Sequence, residues 1–239
     1  MNENKVIKFY DNFVKYQKKS NVNYRIYSLY KRAKKYGLSN YSNILELGSG
    51  IGAMTYLLSK SVKKGTIETV EISPKSVAFA KKHIKKKNIN FFISDIVNYK
   101  PKLKSIDFVT LFDVIEHIPK EKHFELFKSI SKYMNQKTKL LINIPNPEYI
   151  EYDQKYQPEV LQIIDQPIHL DFLLNNLEKN NLSISCFQKY SIWVKNDYIF
   201  YVVEKKKEFK EIRIQDNRSF IEKVFKKLFR IKLKLFYKY

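Results

Sequence analysis

The sequence predicts an α/β fold: a doubly wound, mostly parallel sheet with a terminal antiparallel hairpin, an N-terminal helical cap and a C-terminal basic amphipathic helix. Three observations predict it. Short apolar runs alternate with segments of helical period through the middle of the chain. Three of its five glycines, Gly48, Gly50 and Gly52, fall within five residues at one strand-to-helix junction. Two strand-like runs near the end are joined through Asn196-Asp197.

Residues 5–36 carry apolar and aromatic side chains three and four apart and read as helices, with Gly37 as a stop. "NILEL" (43–47) is a buried strand, followed by the glycine bend and the helix "AMTYLLSKSV" (53–62). "TIETVEI" (66–72) is a second strand. The helix "SPKSVAFAKKHIKKK" (73–87) follows it, with Ser73 as N-cap and Pro74 at its first position. "INFFISDI" (89–96) and "IDFVTLFDV" (106–114) are the third and fourth strands; the helix "KEKHFELFKSISKYM" (120–134) comes next. "TKLLINI" (138–144) is a fifth strand, stopped by Pro145 and Pro147. A helix at 169–180 then leads into strands 182–194 and 198–206. The expected organisation is a cap at 1–39, a domain at 40–204 with an acceptor-binding insertion at 146–168, and a basic tail at 205–239.

Composition narrows the classes. A single cysteine, Cys186, excludes a disulfide framework and a multi-cysteine metal site, and no cluster spells any other metal site. No run approaches the roughly 18 apolar residues of a spanning helix, and the first residues do not resemble a signal peptide, so a cytoplasmic protein is expected. The chain carries 45 Lys and Arg against 24 Asp and Glu, a net charge of +21. Two readings of that excess stay open: an acidic partner such as nucleic acid or an anionic membrane, or the Lys- and Asn-rich coding of an AT-rich genome.

A strand, a glycine-rich turn and a helix N-terminus form a crevice in which backbone can approach a nucleotide. The letters also fit the dinucleotide pattern Gly48-x-Gly50-x-x-Ala53, which alone is a weak signal. Four motifs in order decide. "ILELGSGIG" resembles motif I of the class I S-adenosylmethionine-dependent methyltransferases, "TVEIS" and "FISDI" match the ends of that family's second and third strands, and "LFDVIEHIP" matches its strand-four motif. The resemblance covers about residues 40–204. It implies a Rossmann-like methyltransferase fold of the small-molecule, quinone or sugar branch, with S-adenosylmethionine as cofactor.

The resemblance also implies roles. Gly48, Ser49, Gly50 and Gly52 hold the amino acid end, with Glu46 toward the ammonium. Glu71 accepts both ribose hydroxyls with Ile72 beside it, an apt task for an ionised carboxylate. Asp95 binds the adenine amino group next to Ile96, and Asp113 belongs to the same site. Arg25 and Tyr10, on the cap, are expected to close over the cofactor.

Transfer to an oxygen acceptor needs a base. His83 and His123 fall in Lys-rich helices and read as solvated. His117, in the strand-four motif, is a candidate for catalysis or positioning. His169 opens a helix after the insertion and is the preferred base, with helix capping as the alternative role. Tyr149, Tyr152 and Tyr156 form a wall suited to a polar ring or sugar. The chain lacks the N/D-P-P-Y/F/W signature of base-nitrogen methylases, and Cys186 falls within a strand, which argues against pyrimidine C5 chemistry.

In the tail, Ser219 and Glu222 form a capping box. Phe220, Val224, Phe225, Leu228, Ile231 and Leu235 share one side of the helical wheel, opposite Lys223, Lys226, Lys227, Arg230 and Lys234. Residues 205–239 hold 13 basic and 4 acidic residues. An anionic membrane surface contacted through 219–236, packing on the domain, and a homodimer partner are the readings; nucleic acid ranks below them. The expected function is O-methylation of a small-molecule or saccharide acceptor, including a lipid-linked surface-glycan precursor. A quinone or lipid-ring methyltransferase and a non-catalytic cofactor-binding module are the alternatives.

Overall fold

A computed structural model describes residues 3–211 and 218–236. The expected cap and tail also contain residues 1–2, 212–217 and 237–239, which lie outside the described residues. Contacts divide the chain into two units, Met1–Lys206 and Lys207–Tyr239.

The first unit begins with α1 (Glu3–Ser20) and α2 (Tyr24–Lys35). Asn21 sits at φ 42 between them, and the Asn23 side chain accepts a hydrogen bond from the Ile26 N–H at 3.0 Å to start α2. The core elements follow as β1 (Ile44–Leu47), α3 (Ala53–Ser61), β2 (Ile67–Glu71), α4 (Pro74–His83), β3 (Ile89–Ile93) and β4 (Phe108–Phe112). Next come α5 (His123–Tyr133), β5 (Lys139–Pro145), α6 (Pro147–Tyr156), α7 (Leu170–Glu178), β6 (Leu182–Tyr190) and β7 (Tyr198–Lys205).

The seven strands lie in the order β3-β2-β1-β4-β5-β7-β6. The first five are parallel, and β7 runs antiparallel to both β5 and β6. All four residues of β1 are buried, which explains an uninterrupted apolar run around Glu46. On one face Leu45, Leu47 and Leu111 pack with Phe127 of α5 and Leu173 of α7. On the other, Ile44, Ile67 and Phe108 pack with Leu29 of α2, Leu58 of α3 and Ala80 of α4. Helices thus cover both faces, and the strand order reverses between β1 and β4, where such sheets open a crevice.

Two expected boundaries shift for visible reasons. The helix read as 73–87 stops at His83, because Ile84 turns to an extended conformation and is buried, 7% exposed. The strand read to Val194 stops at Tyr190. The buried Asp197 carboxylate accepts the N–H groups of Ile192, Trp193 and Val194 and folds those residues into the turn. His123 corrects the solvated reading: it is fully buried, its Nε2 is 3.0 Å from the Ile118 carbonyl, and burial lowers its pKa.

The second unit contains α8 (Phe220–Phe236), which starts with the expected capping box. The Ser219 N–H donates to Glu222 Oε2 at 2.8 Å, and the Glu222 N–H donates to Ser219 Oγ at 3.3 Å.

Candidate active site

A cavity of about 730 Å³ opens at the carboxyl ends of β1, β2 and β4, with α1 along one wall. Its base is the glycine bend. Gly48 and Gly52 have φ of +76° and +85°; a Cβ on Gly48 would lie 2.5 Å from Val114 Cγ2, and one on Gly52 would lie 2.8 Å from Ile84 Cδ1. Left-handed backbone and close packing together require glycine at both.

Carboxylates surround the bend. Glu46 points toward α3, where the Thr55 hydroxyl donates to its Oε2 at 2.6 Å; burial pushes its pKa up to about 7. Glu71, at the end of β2, accepts the Gly50 N–H at 2.8 Å and the Ser73 N–H at 2.9 Å, and burial raises its pKa as well. Asp95 follows β3 and accepts the Val97 N–H at 3.0 Å. Asp11 of α1 accepts the Ser73 hydroxyl at 2.6 Å and the Lys75 N–H at 3.2 Å, so that the cap helix is anchored at the start of α4.

The other half of the cavity is built after β4. Asp113 takes left-handed backbone, φ 57; it is ion-paired with Arg25 and accepts Asn143 Nδ2–H at 2.6 Å. Glu116 is 1% exposed, and neither of its carboxylate oxygens has a hydrogen-bond partner. Burial first, then the Asp113 charge, raises its pKa well above the ordinary carboxylate range. Both nitrogens of His117 are engaged: Nδ1 lies 2.7 Å from the Ile164 carbonyl and Nε2 3.1 Å from Gln162 Nε2. Neutral imidazole with its proton on Nδ1 satisfies both contacts. The Gln162 N–H in turn donates to Asp165 Oδ2 at 3.0 Å, tying the insertion together. Tyr10 reaches over this half; burial, Glu116 and Glu71 raise its phenol pKa.

Of the residues singled out in the sequence, Glu46, Gly48, Ser49, Gly50, Glu71, Ile72, Asp95, Ile96, Asp113, Arg25, Tyr10, Tyr149 and His117 line this cavity. Gly52 lies behind the lining, where it shapes the bend. Tyr152 and Tyr156 are exposed, with ring centroids 4.7 Å apart, and are not part of the lining. His169 is also outside it: the residue is the N-cap of α7, its side chain makes no capping bond, and its Nε2 is 2.9 Å from Glu151 Oε1 with both side chains about half exposed. Arg25 turns to Asp113. The sequence reading misses Glu116, which stands inside the strand-four motif, and Gln162 and Asp165, which stand inside the insertion. Among the described residues no group of three or more potential ligands could hold a metal ion.

The family model described as a methyltransferase domain matches residues 44–137, which run from β1 to the turn before β5. Malonyl-(acyl-carrier protein) O-methyltransferase 1 of Ilyobacter polytropus is 32% identical over 98 residues, 41% of this chain and 34% of the relative. The small RNA 2'-O-methyltransferase of Arabidopsis thaliana is 28% identical over 131 residues, 51% of this chain and 14% of the relative. The chain therefore spans about a third or less of the length of these curated relatives. Magnesium protoporphyrin IX methyltransferase from Synechocystis PCC 6803, solved with bound S-adenosylhomocysteine, shares the fold at a TM-score of 0.68 and 13% identity, covering 85% of this chain and 99% of that one. Residues 44–137 thus match a methyltransferase domain, and the mixed seven-stranded sheet built around them has the fold of the S-adenosylmethionine-dependent methyltransferases.

Proposed function

We propose that the cavity binds S-adenosylmethionine along the glycine bend and that the protein O-methylates a small-molecule or saccharide acceptor held between α1 and the insertion. One observation carries the reading: the Gly50 N–H is bonded to Glu71 where the left-handed glycine bend, with Gly48 and Gly50 in the lining, meets the cavity. The residues fit the cofactor. Glu46 is a buried carboxyl that an ammonium would satisfy, Glu71 can accept ribose hydroxyls, and Asp95 with Ile96 forms a polar and an apolar contact for adenine. S-adenosylmethionine supplies an activated methyl on a sulfonium. The chain's task is alignment of the acceptor and exclusion of water, which burial of this cavity under α1 favours.

The O-linked acceptors in the names of both curated relatives are consistent with an oxygen target. The α8 helix adds a location. Its Phe- and Leu-rich side and its Lys-rich side suit an anionic membrane surface, which would place lipid-linked glycan precursors within reach. No helix among the described residues is long and apolar enough to cross a membrane.

Calorimetric titration with S-adenosylmethionine, S-adenosylhomocysteine and NAD tests the reading. Micromolar binding of the first two without NAD is expected. NAD binding alone would reassign the crevice to hydride transfer.

A further inference from the structure

We infer that the half of the cavity beyond β4 is an amine-binding subsite, and that the acceptor is a hydroxylated amine whose ammonium group pairs with Glu116. The inference rests on the proposed methyl transfer for the identity of the acceptor, and on this chain's own residues for the amine.

The unsatisfied atoms carry it. Glu116 is buried, lines the cavity, and has two oxygens without donors. The Gln162 amide oxygen, on the facing insertion, is likewise buried and unpartnered, its Nε2 being engaged with His117. The Gln162 oxygen only accepts. Glu116 holds its proton in the ligand-free protein and becomes a pure acceptor once a cation beside it draws that proton off, so a cation with N–H donors satisfies all three atoms. An ammonium offers three donors and no acceptor. The nearest imidazole nitrogen, His117 Nε2, is 3.9 Å from Glu116 Oε1, too long for a hydrogen bond, and already contacts Gln162.

Charge points the same way. Asp113, Glu116, Asp153 and Asp165 all line this half, against Arg25, which Asp113 neutralises; Lys122, also in the lining, lies 4.0 Å from Asp95. Asp165 repels both Asp153 and Glu116 in a desolvated space; burial and Asp165 raise the Asp153 pKa. A cation relieves that repulsion, a neutral polyol leaves it, and a phosphate or carboxylate increases it. A protein with a net charge of +21 thus has an acceptor subsite of the opposite sign.

Three two-carbon probes that share a hydroxyl and differ in charge test this: ethanolamine, ethylene glycol and glycolate. Each is titrated into the full chain by ligand-observed NMR, with and without S-adenosylhomocysteine. Ethanolamine is expected to bind at least about ten-fold more tightly than ethylene glycol, with no binding of glycolate, and E116Q should bring ethanolamine to within about two-fold of ethylene glycol. D165N, which leaves Glu116 in place, should weaken ethanolamine binding partially and serves if E116Q does not fold. Equal binding of ethanolamine and ethylene glycol, a preference for glycolate, no ethanolamine binding, or a preference unchanged in both variants would overturn the inference. The two readings fail separately: S-adenosylhomocysteine binding without amine selectivity removes the subsite alone, and amine selectivity without S-adenosylhomocysteine binding removes the methyl-transfer reading alone.

Discussion

Arg25 of the N-terminal cap and Asp113 at the end of β4 form an ion pair across the wall of the cavity, 88 positions apart in the chain. Asp113 also accepts Asn143 Nδ2–H, and Asn143 Oδ1 accepts the Tyr190 hydroxyl at 2.7 Å, so one network joins the cap, β4, β5 and β6. The side chains are only 24% and 14% exposed, which makes loss of one partner expensive. Arg25→Ala should destabilise the protein by about 2–4 kcal/mol, most of it from the charge left on Asp113. Urea unfolding of R25A and of R25A/D113N checks this: the second change should recover part of the loss, and additive losses would mean that the pair does not couple.

Glu116→Gln should have the opposite sign. The folded protein holds the Glu116 proton at pH values where the unfolded chain has released it, so folding takes up a proton. Stability contributed at this site falls as pH rises above the ordinary carboxylate range of about 4.3. E116Q removes that penalty, and ligand-free E116Q should be more stable by about 1–3 kcal/mol at pH 8, with the gain vanishing below about pH 4. Thermal unfolding across pH decides; a destabilised E116Q at pH 8 would show that the carboxylate has a partner in the folded state.

Glu46 gives cofactor binding a pH signature. With its pKa near 7 in the ligand-free protein, about half of the molecules carry it protonated at neutral pH. If it meets the cofactor ammonium, binding favours the ionised form and expels a proton. Affinity for S-adenosylmethionine should therefore rise between pH 6 and pH 8, and calorimetry in buffers of different ionisation heat should detect proton release near pH 6.5. Glu46→Gln should abolish both effects.

The two candidate histidines separate by location. His169→Ala changes an exposed contact with Glu151, so stability should stay within about 0.5 kcal/mol and cofactor affinity should be unchanged. His117→Ala removes the contacts to Ile164 and Gln162 that hold the insertion. Amide exchange at residues 162–166 should quicken by an amount equal to about 1–2 kcal/mol of local stability while the sheet stays protected. Unchanged exchange there would free His117 for another task.

Gly52→Ala should destabilise by about 2–4 kcal/mol, because it combines a φ of +85° with a Cβ 3.0 Å from Ala80 Cβ and 2.8 Å from Ile84 Cδ1. Chemical denaturation measures the cost. A near-neutral result would mean that the bend rearranges.

Period and punctuation made the sheet legible. Buried parallel strands read as apolar runs, Ser73-Pro74 marked a helix start that the structure keeps, and the glycines marked the bend. The side of the cavity at β1–β3 was legible because its carboxylates sit at strand ends, positions that topology fixes. The half beyond β4 was not. Gln162 and Asp165 lie in a segment with no period, and their positions depend on His117 contacts made 45 and 48 residues away. Asp197 stands in a dipeptide that looks like a two-residue hairpin turn, yet its carboxylate organises a longer one. His169 shared the composition of a base, and nothing in its neighbours revealed that it faces Glu151 at the surface.

The contrast between the protein's overall charge and its acidic cavity acts as a sorter of orientation. At distances beyond a few ångströms the net +21 attracts the negative end of an approaching molecule, while the carboxylates within admit only its positive end. A dipolar molecule with an anionic tail and a cationic head is therefore drawn to the surface tail-first and must turn before its head enters the cavity. Salt weakens the outer field and leaves the desolvated inner one, so rising ionic strength should slow capture of such a molecule while changing its grip, once inside, far less.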